Sequence, residues 1–231
     1  MNKVLGSFRE AVADVPDGAV IMIGGFGGAG DMPQRLIEAL GQQGAKDLTL
    51  VSNTAGLAGF GGLSADHPLT HNLLIERGQV RKMIASFPVP ASPSRPNAFE
   101  LLYRQGKIDL ELVPQGTLAE RIRAGGAGIP AFYTPAGVGT VIAAGKETRV
   151  FDGREYLLET ALQADYAFIR AHRADTLGNL VYRGSTRNFN AVMATAARVT
   201  IAEVDEIVEP GCLEPEAVVT PGIYVKRIVK R

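Results

Sequence analysis

Ala19-Val20-Ile21-Met22-Ile23 runs straight into Gly24-Gly25-Phe26-Gly27-Gly28-Ala29-Gly30, and Leu48-Thr49-Leu50-Val51 follows eighteen positions later. Both apolar runs are short and lack alternation, so they read as strands buried on both faces. Between them, residues 33–43 place Leu36, Ile37 and Leu40 on one face of a helix. Asp31 and Gln34 have the spacing of an N-cap and its capping-box partner. Strand, glycine loop, helix and strand in this order predict a right-handed crossover and a parallel sheet.

The same alternation extends outward. Residues 5–15 read as an amphipathic helix with Leu5, Phe8, Val12 and Val15 on one face, and Asp17-Gly18 as a turn. Downstream, strands are predicted at Val80–Ala85, Leu110–Val113, near 165–170, 179–182 and 198–204, and along the alternating tail 223–229. Helices are predicted at 97–105, 117–123 and 188–196. Residues 88–96 read as an exposed proline-rich loop. Residues 124–139, rich in glycine and proline around Phe132 and Tyr133, read as an irregular functional loop. No internal repeat or linker interrupts the pattern. The expectation is one α/β domain over residues 1–231: an open, mostly parallel sheet with helices on both faces.

Composition narrows the function. Twenty-four basic residues balance twenty-four acidic ones, so neither a nucleic acid nor a membrane surface is an expected partner. No apolar run approaches the length of a membrane span, and the first residues lack a leader's apolar core, so the reading is cytoplasmic. The single cysteine, Cys212, reads as a buried or indifferent thiol. Asp66, His67 and His71 offer no third ligand at regular spacing; they read as a solvated loop, and no metal site is expected.

Gly25-Phe26-Gly27-Gly28-Ala29-Gly30 matches G-x-G-x-x-G between a strand and a helix, a context in which backbone N–H groups can approach an anion. A nicotinamide dinucleotide also requires an acid at the end of the second strand. That end carries Ser52-Asn53, while Asp47 lies at the strand's start. A dehydrogenase, a non-catalytic small-molecule-binding module and glycines that merely permit close packing remain open on these residues alone.

Longer stretches carry a resemblance. Asp17 through Gly30, Val51-Ser52-Asn53-Thr54-Ala55-Gly56, Pro114 through Arg123 with Ile129 through Thr134, Arg187-Asn188-Phe189-Asn190, and Thr220 through Val225 resemble, in order, the smaller, A-type chains of family I CoA-transferases. The 3-oxoadipate and succinyl-CoA:3-oxoacid enzymes are the most similar. The resemblance implies a CoA-transferase-like sheet and a B-type CoA-transferase chain for partner, in a heterodimer or heterotetramer. It implies coenzyme A and acyl-CoA as substrates, with no tightly bound cofactor. A glutamate on the B-type chain would be the covalent nucleophile. Gly24, Gly25, Phe26, Gly27, Gly28, Ala29 and Gly30 would form the CoA-binding loop. Asn53 and Gln115 would support catalysis as positioning or oxyanion groups. Two residues, Asp31 and Met32, separate Gly30 from the proline where the family usually has one, and a charge at Asp31 would oppose a phosphate.

Three further groups draw notice. Glu159 is the candidate nucleophile if this chain carried its own, although pairing with Arg154 or Arg170 is the simpler expectation. Arg183 and Arg187 suit a dicarboxylate, or else salt bridges between chains or at a sheet edge. Lys226, Arg227, Lys230 and Arg231 read as solubilising charges.

Overall fold

The computed structural model describes residues 2–26, 32–56, 70–90, 94 and 96–231. Its core strands are β1 (Val20–Ile23), β2 (Leu48–Thr54), β3 (Val80–Phe87) and β4 (Asp109–Leu112). Helices α2 (Gln34–Gln43), α3 (Asn72–Glu76) and α4 (Ala98–Arg104) lie in the connections between them, and α1 (Phe8–Val12) precedes them. After β4 come α5 (Gln115–Ala127), β5 (Ala131–Thr134), β6 (Thr148–Phe151) and β7 (Arg154–Thr160). The chain ends with β8 (Ala164–Asp175), β9 (Leu180–Val181), α6 (Asn188–Met193), β10 (Ala197–Val208) and β11 (Val225–Lys230).

Seven strands pair in the order β11-β10-β8-β1-β2-β3-β4, every neighbour parallel, and short β9 runs antiparallel along the upper part of β8. Both faces are covered, which is why the strands read as continuous apolar runs. Ile21, Ile23, Leu48, Leu50, Tyr166 and Phe168 join Leu36, Ile37, Leu40, Leu74 and Phe99 of α2, α3 and α4 in one layer. Met22, Val51, Ala167 and Ile169 join Leu118, Ile122, Phe189 and Met193 of α5 and α6 in the other. The expected architecture is therefore present. The strand order reverses between β1 and β8, which pair through Ile23 opposite Phe168. Beyond that point β8 and β10 continue together to Asp175 and Val208, forming a wall above the end of β1.

Several sequence expectations need correction. The first helix is shorter than 5–15: Ser7 caps it by accepting the Glu10 N–H, Val4 is bridged to Ile228, and the chain turns before Pro16. Residues 124–139 are not an irregular loop. α5 continues through Gly125 and Gly126, and β5 follows. These glycines serve close packing. A Cβ on Gly125 would lie 2.2 Å from the Leu162 carbonyl oxygen, and one on Gly126 would lie 2.2 Å from Thr195 Oγ1.

A second sheet, β5-β7-β6, is antiparallel and was absent from the expected fold. Its hairpin turns at Asp152-Gly153, both with positive φ, between the paired residues Phe151 and Arg154. That is the two-residue turn whose backbone twist suits a hairpin. One face of this sheet gathers Tyr133, Phe151 and Tyr156 edge to face, with Arg149 over two of the rings. Cys212 is exposed rather than buried. Arg227 is no free charge: it forks onto Asp14 with two contacts of 2.6 Å.

Gly125→Ala is expected to destabilise the protein by about 1–3 kcal/mol, because backbone rather than a movable side chain opposes the new methyl. Gly116→Ala, whose Cβ would meet nothing within 4 Å among the described residues, is expected to be neutral or stabilising by up to about 1 kcal/mol. Urea unfolding of the two variants checks the contrast.

Candidate functional site

Parallel strands all end at one edge of the sheet, and this edge collects the polar residues that the sequence singles out. At the end of β1, the Gly24 N–H donates to the Phe168 carbonyl (3.0 Å). A Cβ on Gly24 would lie only 1.9 Å from Asn190 Oδ1. Gly24 thus owes its lack of side chain first to Asn190. That buried amide accepts the Arg170 N–H (2.8 Å) and donates to the Thr186 carbonyl (2.8 Å). Gly25 has φ of 100°, and Phe26, partly exposed, meets Phe189 edge to face at 5.5 Å. Gly27, Gly28, Ala29, Gly30 and Asp31 lie outside the described residues.

At the end of β2, Ser52 Oγ donates to the Ile23 carbonyl (3.1 Å) and ties the two strand ends together. Asn53, next in line, is only 5% exposed. At the end of β4, Pro114 is followed by Gln115, the first residue of α5. Gln115 Nε2 donates to Asn53 Oδ1 at 2.9 Å across 62 residues of sequence. The two predicted residues therefore meet. With Oδ1 engaged by Gln115, Asn53 keeps its amide N–H donors without a partner among the described residues.

The start of α2 is arranged differently from expectation. Its N-cap position is Pro33, not the expected Asp31, and among the described residues no local side chain caps it. Instead Glu203, from the middle of β10, accepts the N–H groups of Arg35 (2.8 Å) and Leu36 (3.2 Å) through Oε2. Glu203 is fully buried. Burial pushes its carboxyl up to about 7, against the opposing pull of the two N–H groups and of Arg170 and Arg35. The first N–H groups of α2 are thus already engaged by the protein's own carboxyl oxygen. Arg170 and His172 reach Asp205 at 2.6 and 3.1 Å on the same wall. Arg231, expected to be a free charge, lies 3.8 Å from Glu203 and bonds Gln34.

The remaining candidates find structural roles. Glu159 is buried, but its partners are Lys146 and Arg121 rather than Arg154 or Arg170. Arg121 also holds Glu111 (2.7 Å), which Lys82 holds from the other side (2.6 Å). His71 is not solvated: it is buried, bonds the Thr54 carbonyl at 2.8 Å, and burial pushes its pKa down to about 4. Asp66 and His67 lie outside the described residues. Among the described residues no cluster of three or more His, Cys, Asp or Glu could hold a metal ion, and no helix is long and apolar enough to cross a membrane. Sequence reasoning missed Asn190's packing role and Glu203. The signal for Glu203 was a lone glutamate inside the apolar run Val199 to Val204.

An open parallel sheet covered on both faces, whose strand order reverses beside Gly24 and which carries paired amides at the same edge, defines a doubly wound α/β fold. The chain belongs to the coenzyme A transferase family, whose profile matches residues 6–231. It is 52% identical over 229 residues to the A chain of 3-oxoadipate CoA-transferase from Pseudomonas putida, covering 99% of this chain and 94% of that one. It is 48% identical over 229 residues to the A chain of the probable succinyl-CoA:3-ketoacid coenzyme A transferase of Bacillus subtilis, covering 99% and 90%. Among solved structures, the acyl-CoA transferase YdiF of E. coli O157:H7, in a thioester complex with CoA, superposes with a TM-score of 0.81 at 26% identity. All of this chain is covered there but only 47% of YdiF, so the chain spans about half of that protein's length.

Glu203 and His71 have opposite pH signatures. The unfolded chain releases the Glu203 proton near 4.5 while the folded protein holds it to about 7. This group's contribution to stability is therefore lost as pH rises across that window, by roughly 3 kcal/mol at most. In Glu203→Gln that decline disappears, so the variant gains on the parent as pH rises from 5 to 8. His71 stays neutral down to about 4 when folded, so its contribution is lost as pH falls from 6.5 to 4. His71→Gln flattens that acid limb. Thermal melts between pH 4 and 8 check both.

Proposed function

We propose that this chain is the A-type half of a two-chain CoA-transferase that moves CoA between succinyl-CoA and a 3-oxoacid such as 3-oxoadipate or acetoacetate, with the nucleophilic glutamate on a B-type partner chain. The reading is supported by family membership and by the names of the relatives. The observation that carries the site assignment is the Asn53–Gln115 amide pair at the carboxyl edge, held at 2.9 Å.

The chemistry needs no proton transfer at the reacting carbon. The partner's carboxylate oxygen attacks the thioester carbonyl, the C–S bond breaks, and CoA leaves as thiolate from a mixed anhydride. The thiolate then attacks the glutamyl carbonyl and expels the donor's carboxylate, leaving CoA on the enzyme as a thioester. The acceptor's carboxylate attacks that thioester and expels the thiolate. The thiolate finally attacks the acceptor acyl carbonyl, releasing the new CoA ester and the glutamate. Each attack places negative charge on a carbonyl oxygen. Asn53, with its N–H donors available and no titratable proton, supplies a fixed dipole for that oxygen, and Gln115 holds the amide in orientation. Glu159 is unsuited to attack because Lys146 and Arg121 already engage it.

Co-expression with the product of the adjacent reading frame, followed by assay of CoA transfer from succinyl-CoA to each 3-oxoacid, tests the assignment. Activity is expected in the co-purified complex and absent from this chain alone; full activity of the lone chain contradicts it. Within the complex, Asn53→Ala is expected to lower kcat about 10²-fold with a smaller change in KM.

A further inference from the structure

Two arginines away from the amide pair acquire a position from the register of the sheet. β9 runs antiparallel to β8, with Leu180 opposite Ala174 and Val181 opposite Arg173. The chain therefore travels back from the tip of β8 toward the end of β1, where Ile23 is level with Phe168. There it makes the 3-10 turn Gly184–Arg187, and α6 follows, laying Asn190 against Gly24 and Phe189 against Phe26. Arg183 and Arg187 thus flank the end of β1 where the strand order reverses, the crevice in which open α/β sheets bind ligands.

Their electrostatic situation differs from that of their neighbours. Arg170 and Arg173 on β8 are neutralised by Asp205 and Glu206 at 2.6 and 2.9 Å. Arg183 and Arg187 are exposed and form no ion pair among the described residues. At the start of α2, an alternative anchor for an anion at this edge, the Arg35 and Leu36 N–H groups are occupied by Glu203 Oε2.

Resting on the transferase reading, we propose that Arg183 and Arg187 form the rim that holds the phosphate groups of the CoA substrate. The phosphates lie at the opposite end of CoA from its thioester. Exposed guanidinium groups can hold them in solvent while the pantetheine arm passes over the end of β1 toward Asn53. A guanidinium fork matches phosphate oxygens in pairs. A substrate carboxylate offers the same chemistry, so the experiment separates the two sources.

The test uses the co-purified two-chain complex carrying Arg183→Gln and Arg187→Gln together. The KM for succinyl-CoA is expected to rise about tenfold or more. The KM for the 3-oxoacid, and kcat/KM for succinyl-pantetheine, a thioester without the phosphates, should stay within about twofold. Arg183→Lys with Arg187→Lys should recover part of the loss. A raised KM for the acid with an unchanged one for succinyl-CoA assigns the pair to the acid and overturns the proposal. So does an equal loss with succinyl-pantetheine, or no change at all. Calorimetry of CoA binding reads the rim without turnover. A complex that shows no transfer, yet loses about tenfold in CoA affinity in the variant, sinks the transferase reading and leaves the rim standing. A complex that binds no CoA overturns the rim.

Discussion

The missing side chain of Gly24 is the constraint on which the site edge depends. It lets Asn190 lie across the end of β1, and that single amide then bonds the backbone of β8 at Arg170 and the turn before α6 at Thr186. Three segments, β1, β8 and the stretch from Thr186 to Asn190, are fixed at one point. The point is where the strand order reverses, so the same contact that closes the fold shapes the crevice beside it. A side chain at Gly24 would displace Asn190 and leave buried donors and acceptors unpaired, which is costly in an interior of low polarity.

Two of the helices that begin at this edge, α2 and α5, use their first turns in opposite ways. α2 follows the glycine loop and in a dinucleotide fold would receive the ligand's phosphates. Here its N–H groups are taken by Glu203 from β10. The cap ties β10 to the β1–α2 unit and places a buried carboxyl group where a phosphate would otherwise lie. α5 begins with Gln115, which orients Asn53 rather than capping itself. Gly24, just before the glycine motif, therefore has a structural purpose. The polar work at the edge falls to side chains from β2 and α5.

Much of this was legible in sequence, for physical reasons that differ by element. Strands buried on both faces announce themselves as apolar runs, so β1, β2, β3 and the α2 helix were readable locally, whereas the five-residue α3 between β2 and β3 was not foreseen. The small sheet was not. β6 is Thr148-Arg149-Val150-Phe151, exposed along its whole length, and its only strong local signal was the Asp152-Gly153 turn. Gly125 and Gly126 misled because their use in packing against Leu162 and Thr195 is visible only in three dimensions. Asn53 and Gln115 lie 62 residues apart, and no periodicity brings them together; the family resemblance named them, and the strand ends join them. Glu203, Glu159 and His71 share one lesson. A buried ionisable residue is recognised by its partners, which sequence spacing does not supply.

The central claim is that the Asn53 amide receives the carbonyl oxygen on which charge develops. The most direct measurement is a crystal structure of this chain with its partner chain, trapped as the enzyme–CoA thioester. Asn53 Nδ2 is expected within about 3 Å of the thioester carbonyl oxygen, with Gln115 still bonded to Asn53 Oδ1. A thioester carbonyl well beyond hydrogen-bond reach of Asn53, or directed to the opposite edge of the sheet, would contradict it.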